Sequence, residues 1–174
     1  MSLSLENVFV PDDQLLGPPA RGLFIALDGL AHGRMGIAAV AVGIAQAALD
    51  HALAYAAQRE QFGQPIREFQ GIKFMLADMA TRIEASRTLL MEAAQARDAQ
   101  GKPVLRLSSM AKLFATETAM FVTTQAIQVF GGYGYMRDFP VERLFRDAKV
   151  TEIYEGTSEI QRLVIARELY RQPA

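Results

Sequence analysis

Glu155 stands between Ile153-Tyr154 and Gly156-Thr157-Ser158, where a helical pattern breaks into a short turn. A carboxylate at such a break is either a solvated loop residue or a general base presented to a ligand. The glycine after it lets backbone approach that ligand, and the next helix brings the N–H groups of its first turn. Gly131-Gly132-Tyr133-Gly134 is a second candidate. Its N–H groups could cradle a phosphate, or it could simply end a helix; it lacks the strand and spacing of a dinucleotide fingerprint or P-loop. Arg59, with Phe62 and Gln70 near it in sequence, is a third, since a guanidinium suits bidentate phosphate recognition. Alone, it could equally close a helix end. Arg34 is the only charge between Asp28 and Asp50, and such an arginine calls for a carboxylate partner.

The two histidines, His32 and His51, do not read as metal ligands. A di-iron bundle needs Glu-x-x-His, and Gly29 and Ala48 occupy the positions three residues earlier. His32 reads as structural and His51 as interfacial or exposed. No metal site is expected. Glu142, Arg143, Arg146, Asp147 and Lys149 form a mixed-charge run, read as solvated or ion-paired.

Helices must position these groups. A long first helix is predicted from about Gly22 to Gln58, with Ile25, Gly29, Gly36, Val40 and Gly43 as a small-residue face for close helix approach. Its twelve-residue apolar run Ile37 to Ala48 is too short for a membrane span of about 20 residues. Gly63 and Pro65 end that helix. A second helix is expected from about Pro65 or Arg67 to Gln100, with Phe69, Ile72, Leu76, Met79, Ile83 and Leu90 as its apolar stripe and Ser86 between them. Gly101-Lys102-Pro103 breaks the chain again. A third helix, about Val104 to Val129, carries apolar residues around much of its circumference and should be central. Pro140 should open a short fourth helix reaching about Val150. Thr157 or Ser158 caps a last one ending near Tyr170, and Ser158 with Gln161 fits a capping box. Leu5 to Val10 alternates weakly and reads as one strand without a partner. The expected fold is all-α: an up-down four-helix bundle with a short additional helix and a short N-terminal extended segment.

Bulk properties narrow the function. The chain has 174 residues, a natural single domain, and 51% hydrophobic residues suffice for a core. A net charge of −1 without a basic block argues against nucleic-acid binding. No cysteine excludes disulfides and thiolate chemistry. No secretory signal is read at the start, and a cytoplasmic location without membrane attachment is expected.

Three stretches resemble one family: Gly33-Arg34-Met35-Gly36-Ile37-Ala38, then Arg59-Glu60-Gln61-Phe62-Gly63 with Gln70, then Gln128 through Arg167 almost continuously. Over about residues 6 to 170 the chain is similar to the C-terminal part of the acyl-CoA dehydrogenases. The resemblance implies residues 1–20 as the end of a middle β-domain and residues 21–174 as the helical domain. It implies an FAD enzyme that removes an α-proton and a β-hydride from an acyl-CoA thioester, with an electron-transfer flavoprotein reoxidising the cofactor.

On that resemblance Glu155 is the base, and its backbone N–H helps hold the thioester carbonyl. A few relatives place the base just before the arginine of the first helix, where this chain has Gly33. Tyr154 and Gly156 are substrate-side residues, and Arg34 packs near the carboxylate. Arg59, Phe62 and Gln70 face the FAD of a neighbouring subunit, with Gln128 and Gly132 from the same side; Thr157, and with it Glu159, contact FAD beside the turn. A homodimer or homotetramer follows. The run Thr151 to Gln161 resembles short-chain and branched-chain members most. The 174 residues alone are expected to fold without turning over. The alternative is a non-catalytic helical oligomerisation or scaffold domain of the same ancestry.

Overall fold

A computed structural model describes residues 2–101 and 104–171. Five α-helices dominate it: α1 (Gly22–Gln58), α2 (Gln70–Gln100), α3 (Leu105–Phe130), α4 (Val141–Thr151) and α5 (Ser158–Tyr170). The fold is the expected all-α bundle. The helices of 37 and 31 residues, α1 and α2, are joined by a short connection that turns the chain back on itself. α3 packs against all four other helices, α4 lies on both α1 and α3, and α5 leans on α3.

The face that does the packing on α1 differs from the expected one. Ala38, Ala41, Ala45, Ala48, Ala52 and Ala56 are fully buried at three-and-four spacing. On α3, Ala111, Ala115, Ala119 and Ala126 are buried in the same way. Alanine keeps helix propensity while letting two backbones approach. The glycines lie on the other side: a Cβ added at Gly29, Gly36 or Gly43 would meet nothing within 4 Å, and Val40 is exposed. By length and mean hydropathy, 1.6 in its most apolar window, α1 could cross a membrane, but its alanine seam is spent on the bundle core.

On α2, Met79, Ile83 and Ser86 are buried as the spacing predicts, with Ile72, Leu76 and Leu90 packed on the core. α3 is central, as expected, but through small and polar residues. Ser108, Ser109, Lys112, Thr116, Thr118 and Thr123 are buried, while Phe114 reaches the surface. Gly101 caps α2 in the left-handed region; Lys102 and Pro103 of that break lie outside the described residues, as does the chain beyond 171.

One expectation fails. Leu5 to Val10 forms no strand, because nothing among the described residues pairs with it; Val8, Phe9 and Val10 are exposed. The β-structure lies instead at Glu60–Gln61 (β1) and Gln64–Pro65 (β2), an antiparallel hairpin between α1 and α2. Phe62 and Gly63 form its two-residue turn with φ of 52° and 82°. Positive φ at both central residues is the twist that two-residue hairpins favour.

Candidate functional site

The first of two clusters forms where the turn after α4 meets α1 and α3. Glu155 sits in the left-handed region, φ 56°, and Gly156 follows at 93°. A bulky residue held at positive φ is costly and persists only where its surroundings enforce it. Three contacts enforce it here. The Lys112 ammonium donates to the Gly156 carbonyl at 2.9 Å. The Gln161 side-chain amide donates to the same carbonyl at 2.9 Å and to that of Glu155 at 3.2 Å. Both side chains are completely buried. A Cβ at Gly156 would come within 2.8 Å of Gln161 Nε2, so the glycine is required by space as well as by backbone.

These grips aim the Glu155 carboxyl at α1. Its oxygens and Cδ lie 2.6–2.9 Å from where a Cβ on Gly33 would stand. Gly33 is thus the floor on which Glu155 rests. One carboxyl oxygen, Oε2, is buried with no hydrogen-bond partner among the described residues. A buried, unpartnered carboxylate oxygen is expensive as structure. It is the arrangement expected of a group kept free for a ligand.

Arg34 corrects an expectation. It makes no ion pair among the described residues; its guanidinium donates to Ser109 Oγ on α3 at 3.1 Å, and Nε has no partner. Ser109 faces α1 at that level and takes the bond a carboxylate was expected to take. Burial, with Arg167 nearby, pushes Arg34 below the usual arginine range, while the Glu155 charge pulls it back. Burial likewise pushes Lys112 down, opposed chiefly by Glu152, with Arg34 adding to the fall and Glu155 and Glu159 resisting it. The turn is therefore underlain by two buried cations whose nearest counter-charges include Glu155.

The cap of α5 falls on the first of the two residues expected, but the capping box does not form. Thr157, not Ser158, is the N-cap, its Oγ1 accepting from the Ile160 N–H at 3.4 Å. Ser158 is the first helical residue, with a buried and unpartnered hydroxyl. Gln161 is committed to the turn, so no capping box forms.

The second cluster lies at the far end of α1. Arg59, Gln128 and Gly132 line one open cavity of about 500 Å³ with Tyr55, Ile66 and Tyr133. Gly131, at φ 61°, ends α3, and Gly134 is pressed against Ile127, where a Cβ would lie 2.7 Å from the carbonyl oxygen. The glycine run is thus a helix stop that also walls a cavity. The Arg59 guanidinium lies 5.7 Å from the Tyr133 ring centroid and makes no ion pair among the described residues. Phe62 is 93% exposed at the hairpin tip, its ring edge-on to Phe69. Gln70 opens α2 and is exposed.

Of the other residues singled out in the sequence, Tyr154 is part-exposed beside Glu155. Thr157 and Glu159 line a separate charged cavity of about 360 Å³ with Lys149 and Arg162. Arg59 follows Gly33 by 26 positions, about 39 Å along an α-helix. The predicted residues thus divide between opposite ends of the bundle. Lys112, Gln161 and Ser109 were missed. The signal was present as Ser108, Ser109, Lys112 and Thr116, a polar stripe at helical spacing within α3.

Known proteins show the family to which this chain is related. Residues 20–170 match the family model described as acyl-CoA dehydrogenase, C-terminal domain. The chain is 55% identical over 167 residues to an acyl-CoA dehydrogenase of Bacillus subtilis, covering 96% of this chain and 44% of that one. It is 51% identical over 170 residues to an acryloyl-CoA reductase (NADH) of Anaerotignum propionicum, covering 98% and 43%. The structure of butyryl-CoA dehydrogenase from Megasphaera elsdenii superposes with a TM-score of 0.90 at 49% identity, over 93% of this chain and 42% of that one. The chain spans less than half the length of these relatives. It belongs to the acyl-CoA dehydrogenase family, of which it carries the C-terminal helical domain.

Proposed function

We propose that the chain supplies the base and part of the cofactor surface of a cytoplasmic FAD-dependent dehydrogenase acting on short- or branched-chain acyl-CoA thioesters. Residues 21–174 form the helical domain in this reading, and residues 1–20 lead into it. The observation that carries it is the Glu155 carboxyl, held over Gly33 with Oε2 unpartnered. Glu155 takes the α-proton of the thioester, leaving the electron pair to form the α,β double bond as the β-hydride departs. FAD, when bound, supplies the acceptor for that hydride. The Glu155 backbone N–H holds the thioester carbonyl, where charge develops as the proton leaves. Tyr154 and Gly156 flank the acyl chain, and Arg34 keeps positive potential beneath the carboxylate.

The residues fit the cofactor. Arg59, without an ion pair among the described residues, a glycine-walled cavity and the Gln128 amide suit a diphosphate and its adenosine, with Phe62 and Gln70 at the rim. Thr157 caps α5 directly after the turn that carries the base, and Glu159 lies in that helix's first turn. About 39 Å of helix separates Gly33 from Arg59, too far for one flavin to touch Arg59 with its reactive ring at Glu155. Each end therefore serves a different FAD, and the site is completed between copies of the chain, as a homodimer or homotetramer. An electron-transfer flavoprotein reoxidises the cofactor.

Anaerobic addition of butyryl-CoA to the flavin-loaded holoenzyme containing this chain tests the reading. Bleaching of the oxidised-flavin absorbance is expected, lost in Glu155→Gln. Persistent yellow colour in the wild type would leave the non-catalytic oligomerisation domain as the better account. The 174-residue chain alone is expected to retain FAD weakly.

A further inference from the structure

Among the described residues, Lys112 is the largest fully buried side chain. Lysine is almost never buried so completely without a charge partner, yet it forms no ion pair among the described residues. Its one hydrogen bond goes to a backbone carbonyl, that of Gly156. Charges act on it from several elements: Arg34 on α1, Glu152 at the end of α4, Glu155 on the turn and Glu159 on α5. A cation in this place costs stability that an apolar side chain of similar size would not.

The compensation is geometric. The turn has no cis peptide bond, and in a trans peptide the C=O and N–H point in opposite directions. Gln161 draws the Glu155 carbonyl inward, which turns the Gly156 N–H outward. Lys112 and Gln161 together draw the Gly156 carbonyl inward, which turns the Thr157 N–H outward. Neither N–H finds an acceptor among the described residues. With both planes fixed, the backbone of Gly156 is set, at φ 93°, and with it the peptide that leaves Glu155, whose carboxyl lies over Gly33.

We propose that Lys112 and Gln161 are positioning residues. They hold the two peptide planes after Glu155 so that its carboxylate rests over Gly33 and the Gly156 and Thr157 N–H groups face out of the core. This rests on the reading of Glu155 as the base, but its structural half does not. Neither residue touches substrate; both act through the turn.

Lys112→Met and Gln161→Leu test it in two measurements. In the 174-residue chain, amide exchange of a peptide spanning 152–158 should quicken about tenfold or more, through local opening, while the melting temperature stays the same or rises. In the flavin-loaded holoenzyme, kcat should fall by about 10–100-fold with KM within about twofold, as expected of a misplaced catalytic group. The double variant should be little worse than either single one, because the two donors share an acceptor. Unchanged exchange at 152–158 would overturn the proposal. So would a matching fall in melting temperature, or global unfolding, for Lys112→Met, which makes the lysine a group of the fold; Gln161→Leu then tests the other donor alone. Quickened exchange with a wild-type enzyme that never bleaches its flavin would sink the reading of the base and leave the positioning intact.

Discussion

The two ends of α1 carry sites of opposite construction. At the Gly33 end the gripping side chains are buried and the turn is overdetermined: two side-chain donors grip two carbonyls, two glycines remove Cβ atoms that would collide, and a carboxylate oxygen has no partner among the described residues. At the Arg59 end the parts are exposed and loosely held. A two-residue hairpin turn carries Phe62 into solvent, and Arg59 overhangs an open cavity beside a ring. The first end holds its carboxyl in place by contacts within the chain. The second offers surface and charge, and becomes a site only when something covers it. Chemistry that must place a base belongs at the first; recognition of a cofactor held mainly by another copy suits the second.

That contrast is broken most directly at Glu155, the proposed base. Glu155→Gln is expected to lower kcat in the holoenzyme by about 10²–10⁴-fold, the usual contribution of a general base, with melting temperature unmoved. A small effect would mean that the buried end holds a structural carboxylate. Gly33→Ala comes next. Its methyl would need space held by the Glu155 carboxyl at 2.6 Å, so the base must shift, and a displacement of about 1 Å costs about 10²-fold. Stopped-flow reduction of the flavin separates this loss from substrate affinity, which should change little. At the other end Arg59→Ala should weaken FAD retention by about tenfold, the worth of one charge-assisted hydrogen bond. Flavin fluorescence on dilution measures it. The rate of reduction of whatever flavin stays bound should be unaffected, and a matching loss of kcat at saturating FAD would erase the distinction between the ends.

The two ends also differed in how far the sequence disclosed them. Helix extents followed from periodicity and from Gly and Pro breaks, because those signals are local. Glu155 stood out because a carboxylate beside a glycine at a helix break is local too. What holds Glu155 was hidden, because Lys112 is 43 positions and Gln161 six positions away from it. Nothing in their immediate neighbours says that both point at one carbonyl. Gln161 even matched a capping box, a local pattern that the longer-range demand of the turn overrode. The packing face of α1 was misread for a related reason. Glycine and alanine both permit close approach, and only the partner helix decides which is used; it used alanine. At the Arg59 end the residues were found but not the hairpin, since four strand residues carry no period to read.

The smallest expected effect is a change in how stability responds to alkali, and it isolates the cation beneath the turn. Burial holds Lys112 below its ordinary value, and the flanking carboxylates do not fully restore it. The unfolded chain titrates near about 10.4. Between the lowered native value and that figure, the unfolded state binds more protons than the native one, so this group makes stability rise with pH. Below the window the whole cost of burying the charge is present; above it the cost is gone. Lys112→Met carries no such cost at any pH. The stability difference between variant and wild type, from urea melts at stepped pH, should therefore favour the variant most near neutrality and narrow as pH climbs toward the ordinary lysine value. Taking the difference cancels the other lysines and the tyrosines, which titrate in both proteins. A gap that stays flat with pH would mean that Lys112 is as well solvated in the folded chain as in the unfolded one. The buried end would then be gripped by an ordinary hydrogen bond rather than by a strained charge.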